Sequence, residues 1–217
     1  MRALFFDGPI DPICYERSVN IPNDLMLEGP RVRLEPLRGA HLPALMARCA
    51  DPALWEFTFQ QNPLTNESDA QTYLADALAD PTGRPFAIVD RATGLAIGST
   101  RYLDIVPEHR KLEIGWTFLA RDLWRTGINH EVKLLLLDYA FETYGAIRVQ
   151  LKADASNLRS REAIARLGAT YEGTLRDCRV RPDGEPRGIS YFSILAREWP
   201  DVRAGLQRSA NRTPTSV

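Results

Sequence analysis

A short turn between a predicted strand and a predicted helix offers the clearest chemistry in this sequence. It reads Trp124-Arg125-Thr126-Gly127-Ile128-Asn129. The first N–H groups of a helix lack partners and carry about half a positive charge, Gly127 allows a ligand to approach the backbone, and Arg125 adds a cation. The turn therefore suits a pyrophosphate, although a glycine turn before an ordinary capped helix would explain the same residues. It lacks the Gly-Lys-Ser/Thr of a P-loop and the spaced glycines of a dinucleotide fingerprint.

Composition predicts one globular domain around this turn. The chain has 217 residues, 44% of them hydrophobic and 25% charged, and a formal net charge of −1. These are ordinary values for a domain with a core. We expect a proline-rich and acidic N-terminal arm at residues 1–29, one domain at 30–200 and a C-terminal tail at 201–217. Because the charge is balanced, we expect neither nucleic acid nor an anionic membrane as a partner.

Short apolar runs and scattered cysteines narrow the class of protein further. No run reaches the length of a membrane span or a signal-peptide core, which predicts a cytoplasmic protein. Cys14, Cys49, Cys178 and the histidines show no metal-ligand spacing. We therefore predict no metal site and no disulfide framework.

Hydrophobic periodicity places the turn within a mixed fold. Alternation predicts strands at 32–37, 86–89, 95–98, 111–119, 147–151, 170–180 and 189–195. Helical spacing predicts helices at 41–50, 67–78, 129–144 and 157–167. Within the strand at 111–119, alternation puts Leu112, Ile114, Trp116 and Phe118 on one face. The order of elements favours an α/β (mixed α+β) fold, in which helices flank a mostly antiparallel sheet.

Several ordered segments carry a resemblance to a known family. They are Arg31-Val32-Arg33-Leu34-Glu35-Pro36-Leu37, Leu112-Glu113-Ile114-Gly115-Trp116, Arg125-Thr126-Gly127-Ile128-Asn129, Asn157-Leu158-Arg159-Ser160, Ala163-Ile164-Ala165-Arg166-Leu167-Gly168-Ala169, Glu172-Gly173, Asp183-Gly184 and Tyr191-Phe192-Ser193-Ile194-Leu195. In this order, residues 30–200 resemble the GNAT acyltransferase superfamily, in particular its branch of ribosomal-protein N-terminal acetyltransferases. The resemblance implies the GNAT fold, with about seven strands, as the alternation also indicates, and with central strands that splay apart.

The resemblance implies acetyl-CoA as the acyl donor. Its pyrophosphate would lie on the turn formed by Trp124, Arg125, Thr126, Gly127, Ile128 and Asn129. The family pattern there is Gln/Arg-x-x-Gly-x-Gly/Ala, of which this chain keeps only the central Gly127. The pantetheine arm would pair with backbone groups of Thr117, Phe118 and Leu119 in the gap between the splayed strands, and it would also contact Asn157.

Glu113 and Ser160 are the catalytic residues that the resemblance implies. Acyl transfer needs a neutral amine, and Glu113 would draw off its proton, often through water. A glutamate that faces solvent or pairs with an arginine is the alternative. Ser160 would donate to the departing thiolate, unless it is an ordinary first-turn serine. The amine would attack the thioester directly through a tetrahedral intermediate, since no neighbouring His or Asp supports Cys178 as a nucleophile.

The acceptor pocket is expected between residues 55–59 and a hairpin at 176–190. Trp55 and Phe57 would line one side, and Arg176 and Arg179 the other. The arginines favour an acidic acceptor, unless they only solubilise the hairpin. The leading hypothesis is an N-acetyltransferase that acts on a small-molecule amine or a protein N-terminus. A succinyl-type acyltransferase and a non-catalytic acyl-CoA-binding sensor are alternatives, and the sequence leaves a homodimer open.

Overall fold

The computed structural model describes residues 20–181 and 183–210, and their strands form one sheet. Its order is β1-β2-β3-β4-β5-β6-β8-β7. Neighbouring strands are antiparallel except β5 and β6, which are parallel. The strands are β1 (Leu27–Glu28), β2 (Val32–Pro36), β3 (Arg84–Asp90), β4 (Ala96–Val106), β5 (Lys111–Leu119), β6 (Arg148–Asp154), β7 (Thr170–Val180) and β8 (Pro186–Leu195).

Helices cover the two faces of the sheet. The helices α1 (Leu42–Cys49) and α2 (Glu67–Ala79) pack with Ala87 and Val89 on one face. The other face carries α3 (Ile128–Asp138), α4 (Leu158–Arg166) and α5 (Trp199–Ala210), and α3 continues into a π-helical turn at Tyr139–Thr143. Because α3 lies between the sheet and α5, it is apolar on most sides. No helix in the described part of the chain is long and apolar enough to cross a membrane.

The predicted elements are confirmed, and the fold extends beyond the predicted domain at both ends. Alternation predicts about seven strands, whereas the sheet has eight in the described residues. The additional strand is the two-residue β1, which pairs with β2. The expected arm at 1–29 includes β1 and the fully buried Ile21, so its last residues are part of the core. The expected tail at 201–217 begins inside α5, where Leu206 is buried. Residues 1–19 and 211–217 lie outside the described residues.

A bulge in β5 overturns the predicted face of this strand. Ser99 pairs with Phe118 and Arg101 with Gly115, so two residues of β5 oppose one residue of β4. Trp116 lies in the bulge with a positive φ of 49° and is 40% exposed. Phe118 packs against α2 on the opposite face from Leu112 and Ile114. The extra residue reverses which side chains of β5 face each side of the sheet, and the hydrophobic period of the strand alone does not reveal this reversal.

The parallel pair of central strands is short. Only Lys111, Leu112 and Glu113 of β5 are paired with β6. Beyond this point β5 keeps its partner β4 up to Leu119, whereas β6 pairs with β8. The two strands therefore separate, which confirms the predicted splay. We use "the splay" for the gap between residues 114–119 of β5 and residues 151–154 of β6.

Candidate active site

The turn at residues 124–129 brings uncapped N–H groups to the wide end of the splay. It follows β5 and leads directly into α3, with Gly127 as the residue before the helix. Gly127 has φ +85° and Arg125 has φ +66°, a left-handed conformation that glycine adopts without strain. No side chain caps α3 at Gly127. The first N–H groups of the helix are thus left for an anionic ligand. We call residues 124–129 the phosphate turn.

An ion pair that the sequence analysis missed ties this turn to β2. Glu131 is buried in α3 and accepts hydrogen bonds from the backbone N–H groups of Arg31 and Val32. The Arg31 side chain donates to Glu131 Oε2 at 2.7 Å and to the Thr126 carbonyl at 3.0 Å. Glu131 therefore anchors β2, and Arg31 fixes the carbonyl orientation of the phosphate turn. A carboxylate on an otherwise apolar helix was the available signal, because a buried charge requires partners.

Trp124 and Arg159 connect the phosphate turn to α4. The Trp124 indole N–H donates to the Leu119 carbonyl at 3.1 Å. The Arg159 guanidinium carbon lies 3.7 Å from the centroid of the Trp124 ring, a cation–π contact. Trp124 stands where the family pattern has Gln or Arg. The carbonyl to which its side chain donates belongs to Leu119, a residue that is expected to pair with pantetheine. The contact links the end of β5 to the first turn of α4.

His130 in the first turn of α3 is half-buried rather than exposed. Burial lowers the pKa of His130, and the positive charge of Arg166 lowers it further. A neutral imidazole can donate one hydrogen bond but offers no charge to a phosphate. The formal positive charges at the phosphate turn come instead from arginines, among them Arg31 and Arg125.

A buried lysine faces β5 at its bulge. Lys133 of α3 is 5% exposed, and its Nζ donates to the Thr117 hydroxyl at 2.6 Å. That hydroxyl also shares a 2.8 Å hydrogen bond with Thr100 of β4. Burial lowers the pKa of Lys133 to about 7. The Thr117 side chain is therefore engaged within the protein, and what Thr117, Phe118 and Leu119 offer a ligand is their backbone, at the strand edge that faces the splay.

Asn157 and Ser160 lie at the start of α4, which follows β6. The Asn157 side-chain oxygen accepts from the Ser160 backbone N–H at 3.0 Å and so caps the helix. Ser160 is half-buried, and none of the hydrogen bonds among the described residues uses its hydroxyl. The cap holds this hydroxyl in the first turn, on the opposite side of the splay from β5.

Glu113 lies at the point where β5 and β6 separate, and it is already bonded. It is buried on the sheet face opposite Leu112 and Ile114. Its Oε2 lies 2.6 Å from Lys152 Nζ and accepts from Gln150 Nε2 at 3.0 Å. Burial opposes the charge of Lys152, but the bond to Glu113 raises the pKa of Lys152 overall. The partner is thus a lysine rather than an arginine, and no side chain or backbone group within residues 20–181 and 183–210 donates to Oε1.

The expected acceptor residues divide between core and surface. Trp55 is only 6% exposed, and its indole N–H donates to the Cys49 carbonyl. Its ring centroid lies 4.9 Å from that of Phe118, so Trp55 is a core residue rather than a pocket wall. Phe57 is half-buried in a turn. Arg176 and Arg179 are exposed on β7, and Arg179 lies 5.7 Å from the Phe59 ring centroid. The two predicted walls therefore meet through Phe59 and Arg179.

The two described cysteines differ in burial. Burial raises the pKa of Cys49 to about 12, which keeps its thiol protonated. Cys178 is exposed on β7. Among the described residues, no group of three or more His, Cys, Asp or Glu side chains is placed to hold a metal ion.

Comparisons with known proteins show which family this chain is similar to. The family model for the acetyltransferase (GNAT) domain matches residues 31–170. The Bacillus subtilis (strain 168) protein named "Putative ribosomal N-acetyltransferase YdaF" is 31% identical over 148 residues, 67% of this chain and 78% of that protein. The structure of a GCN5-related N-acetyltransferase from Brucella melitensis superposes with a TM-score of 0.81 at 28% identity, over 89% of this chain and 87% of that chain.

A more distant structure has the same fold. It is spermidine N-acetyltransferase from Vibrio cholerae in complex with CoA and spermine, with a TM-score of 0.65 and 18% identity. The match covers 78% of this chain and 98% of that chain. At this identity the likeness concerns the fold alone.

Replacing Lys133 with methionine should change how stability depends on pH. The pKa of Lys133 is about 7 in the folded protein and about 10.4 when unfolded. Between these values the unfolded chain binds more protons, so the free energy of unfolding of the wild type should rise with pH, by up to about 1.4 kcal/mol per unit, relative to Lys133→Met. Urea unfolding from pH 7.5 to pH 10 measures this. The control is Lys111→Met, at an exposed position, and parallel curves for wild type and Lys133→Met would contradict the expectation.

Proposed function

Since this chain belongs to the GNAT acetyltransferase family and is an N-acetyltransferase, we propose that it transfers the acetyl group of acetyl-CoA to a primary amine by direct attack. GNAT acetyltransferases use acetyl-CoA. The observation that carries the proposal is the uncapped start of α3 at the wide end of the splay. A diphosphate fits there because free N–H groups, the helix dipole and nearby arginines all favour an anion.

The splay suits an extended thioester arm. Beyond Glu113, one edge of β5 has no partner strand among the described residues, so its N–H and C=O groups, apart from the Leu119 carbonyl that Trp124 engages, are available to amide groups of a ligand. Residues 117–119 would bind pantetheine through this backbone, and Asn157 would contact it from α4. When bound, acetyl-CoA supplies the activated acyl group, and a backbone N–H of β5 is suited to stabilise the carbonyl oxygen during attack.

Proton transfer falls to Glu113 and Ser160 in this proposal. An α-amino group has a pKa of about 8, so part of the acceptor is already neutral near pH 8 and the base need not be strong. Glu113 would accept the remaining proton at Oε1, directly or through water, while Lys152 and Gln150 hold Oε2. Ser160 would donate its free hydroxyl to the departing thiolate from the other side of the splay.

Charge favours a protein N-terminus or a small amine over a polyamine as the acceptor. One relative is named as a ribosomal N-acetyltransferase and one structure as a spermidine N-acetyltransferase. Spermidine and spermine are polycations, whereas the hairpin beside Phe59 presents Arg176 and Arg179. Like charges at a recognition surface are repulsive. The same arginines would also tolerate a succinyl group on the donor. Thiol-release assays with acetyl-CoA and with succinyl-CoA would distinguish the two donors.

Gly127→Ala should weaken CoA binding about tenfold, since a Cβ in the left-handed region disturbs the phosphate turn. The added atom would also lie 3.4 Å from Arg31 Nη2. Isothermal titration calorimetry with CoA and acetyl-CoA gives the affinity. Gly94→Ala is a matched control, because Gly94 also has a positive φ but has nothing within 4 Å. Equal CoA affinities for the two variants, or no heat with the wild type, would overturn the donor assignment.

Glu113→Gln should lower kcat and shift the pH profile of kcat/KM upward. Without the carboxylate, the reaction depends on the amine that has already lost its proton in solution. Thiol release with saturating acetyl-CoA, followed from pH 6 to pH 9, tests this. The control is Glu108→Gln, at an exposed position. An unchanged pH profile would remove Glu113 from proton transfer and leave it as the partner of Lys152.

Ser160→Ala should slow turnover about tenfold while the KM for acetyl-CoA stays nearly constant, because the lost hydrogen bond forms with the thiolate as it leaves. Ser68→Ala in the first turn of α2 controls for loss of an exposed helical serine. Steady-state kinetics separate the two parameters. Full turnover in Ser160→Ala would return Ser160 to a purely structural role. If CoA binds and no amine releases thiol from the wild type, the chain is an acyl-CoA-binding sensor instead.

A further inference from the structure

Arg101 of β4 is a buried cation without a carboxylate partner. It is 7% exposed, and its Nε is buried with no hydrogen-bond partner. None of the ion pairs among the described residues includes it. A buried guanidinium is usually paired with a carboxylate or phosphate, because desolvation of the charge is costly. Its unsatisfied donors are therefore open to a partner from outside the described fold.

Two aromatic rings hold this guanidinium in place. Its Cζ lies 4.8 Å from the centroid of Tyr73 on α2 and 5.0 Å from that of Trp116 on β5. Aromatic faces stabilise the cation through their quadrupoles. They supply no oxygen acceptor for the N–H donors of the guanidinium. The contacts thus fix Arg101 without satisfying it.

The bulge in β5 is what brings Trp116 to Arg101. A positive φ is strained for a bulky side chain and persists only where the surroundings impose it. Here the extra residue turns the indole away from the α3 face and places it over the guanidinium. The strain therefore serves the position of Arg101, and such strain is concentrated at ligand sites.

Arg101 and Glu113 lie on the same face of the sheet, one residue pair apart. Arg101 pairs with Gly115, and the next pair on this face is Leu103 with Glu113. A Cβ at position 115 would lie 2.9 Å from Leu103 Cδ1 and 3.0 Å from Glu113 Oε1, so the glycine leaves room for both side chains beside Arg101. Diagonal neighbours on a sheet have Cα atoms about 7–8 Å apart. A small molecule whose amine and carboxylate are a few bonds apart would span this separation between Glu113 and Arg101.

We propose that Arg101 binds a carboxylate of the acceptor, so that this enzyme acetylates amines that carry a carboxylate a few bonds from the reacting nitrogen. The inference rests on the proposed function and names the substrate class of that site. The carboxylate is either the α-carboxylate of an amino acid or an acidic side chain at a peptide N-terminus. Both present the planar pair of oxygens that a guanidinium binds through two hydrogen bonds.

The first arm of the test compares acceptors on the wild-type full chain. Free amino acids are assayed against their amides, and a peptide amide that begins with Asp-Ala-Ala is assayed against one that begins with Asn-Ala-Ala. Spermidine is the cationic control. We expect kcat/KM to be at least about tenfold higher for the acceptor with the carboxylate in one of the two pairs. This is the ratio expected when the other member of the pair lacks one hydrogen bond to a charged group. The pair that shows the difference identifies the source of the carboxylate.

The second arm removes the cation. Arg101→Met should lower kcat/KM about 10- to 100-fold for the preferred carboxylate acceptor and leave its uncharged amide counterpart nearly unchanged. Trp116→Leu should lower the same preference while Arg101 remains. Arg197→Met, at an exposed position, is the control. CoA titration and circular dichroism establish that each variant is folded, and Trp116→Leu carries the test if Arg101→Met does not fold.

The outcomes separate this inference from the proposed function. If the wild type releases thiol with amines but treats carboxylate and amide acceptors equally, or prefers spermidine, the assignment of Arg101 is overturned and the acetyltransferase activity stands. An equal loss for both acceptors in Arg101→Met would also overturn it, since that is the result of a purely structural arginine. If no amine releases thiol, the proposed function itself fails.

Discussion

The end of pairing between β5 and β6 after Glu113 is the constraint on which the site depends. A parallel pair normally runs as far as its two strands allow, because each buried N–H and C=O needs a partner. Here β6 continues beside β8, while β5 continues beside β4 and leads into the phosphate turn. The backbone edge exposed by this separation lies next to the start of α3. One change of direction in the sheet thus creates the slot and places the uncapped start of α3 at its mouth.

Two charged residues on the buried side of α3 hold β2, the turn at residues 124–129 and the bulge of β5 in place. Glu131 bonds the start of β2 and, through Arg31, the carbonyl of Thr126. Lys133 bonds Thr117 beside the bulge. Burial of a polar group lowers the stability of the fold unless the group is hydrogen-bonded, so Glu131 and Lys133 are tolerated inside the protein because each has a hydrogen-bond partner. The helix whose start is uncapped therefore also bonds to two strands of the sheet, β2 and β5.

The elements, their order and the turn that precedes α3 could be predicted from the sequence, because periodicity, turn residues and Gly127 are local signals. The sequence did not predict the face of Trp116, since a bulge depends on the register between two strands and leaves no trace in one of them. The core position of Trp55 and the pairing of Glu113 with Lys152 depend on contacts distant in the chain. α5 was missed because its apolar spacing begins at Trp199 and reaches only as far as Leu206 before a polar end.

One outer edge of the sheet is formed by β7, a long strand with an irregular backbone. β7 is the last strand at its end and is exposed along most of its eleven residues. Its ladder with β8 is interrupted twice, and Asp177 adopts a left-handed conformation between Arg176 and Arg179. Natural sheets use irregular backbone and charged side chains at an edge to disfavour fibrous aggregation. The arginine-bearing hairpin of this chain has both features.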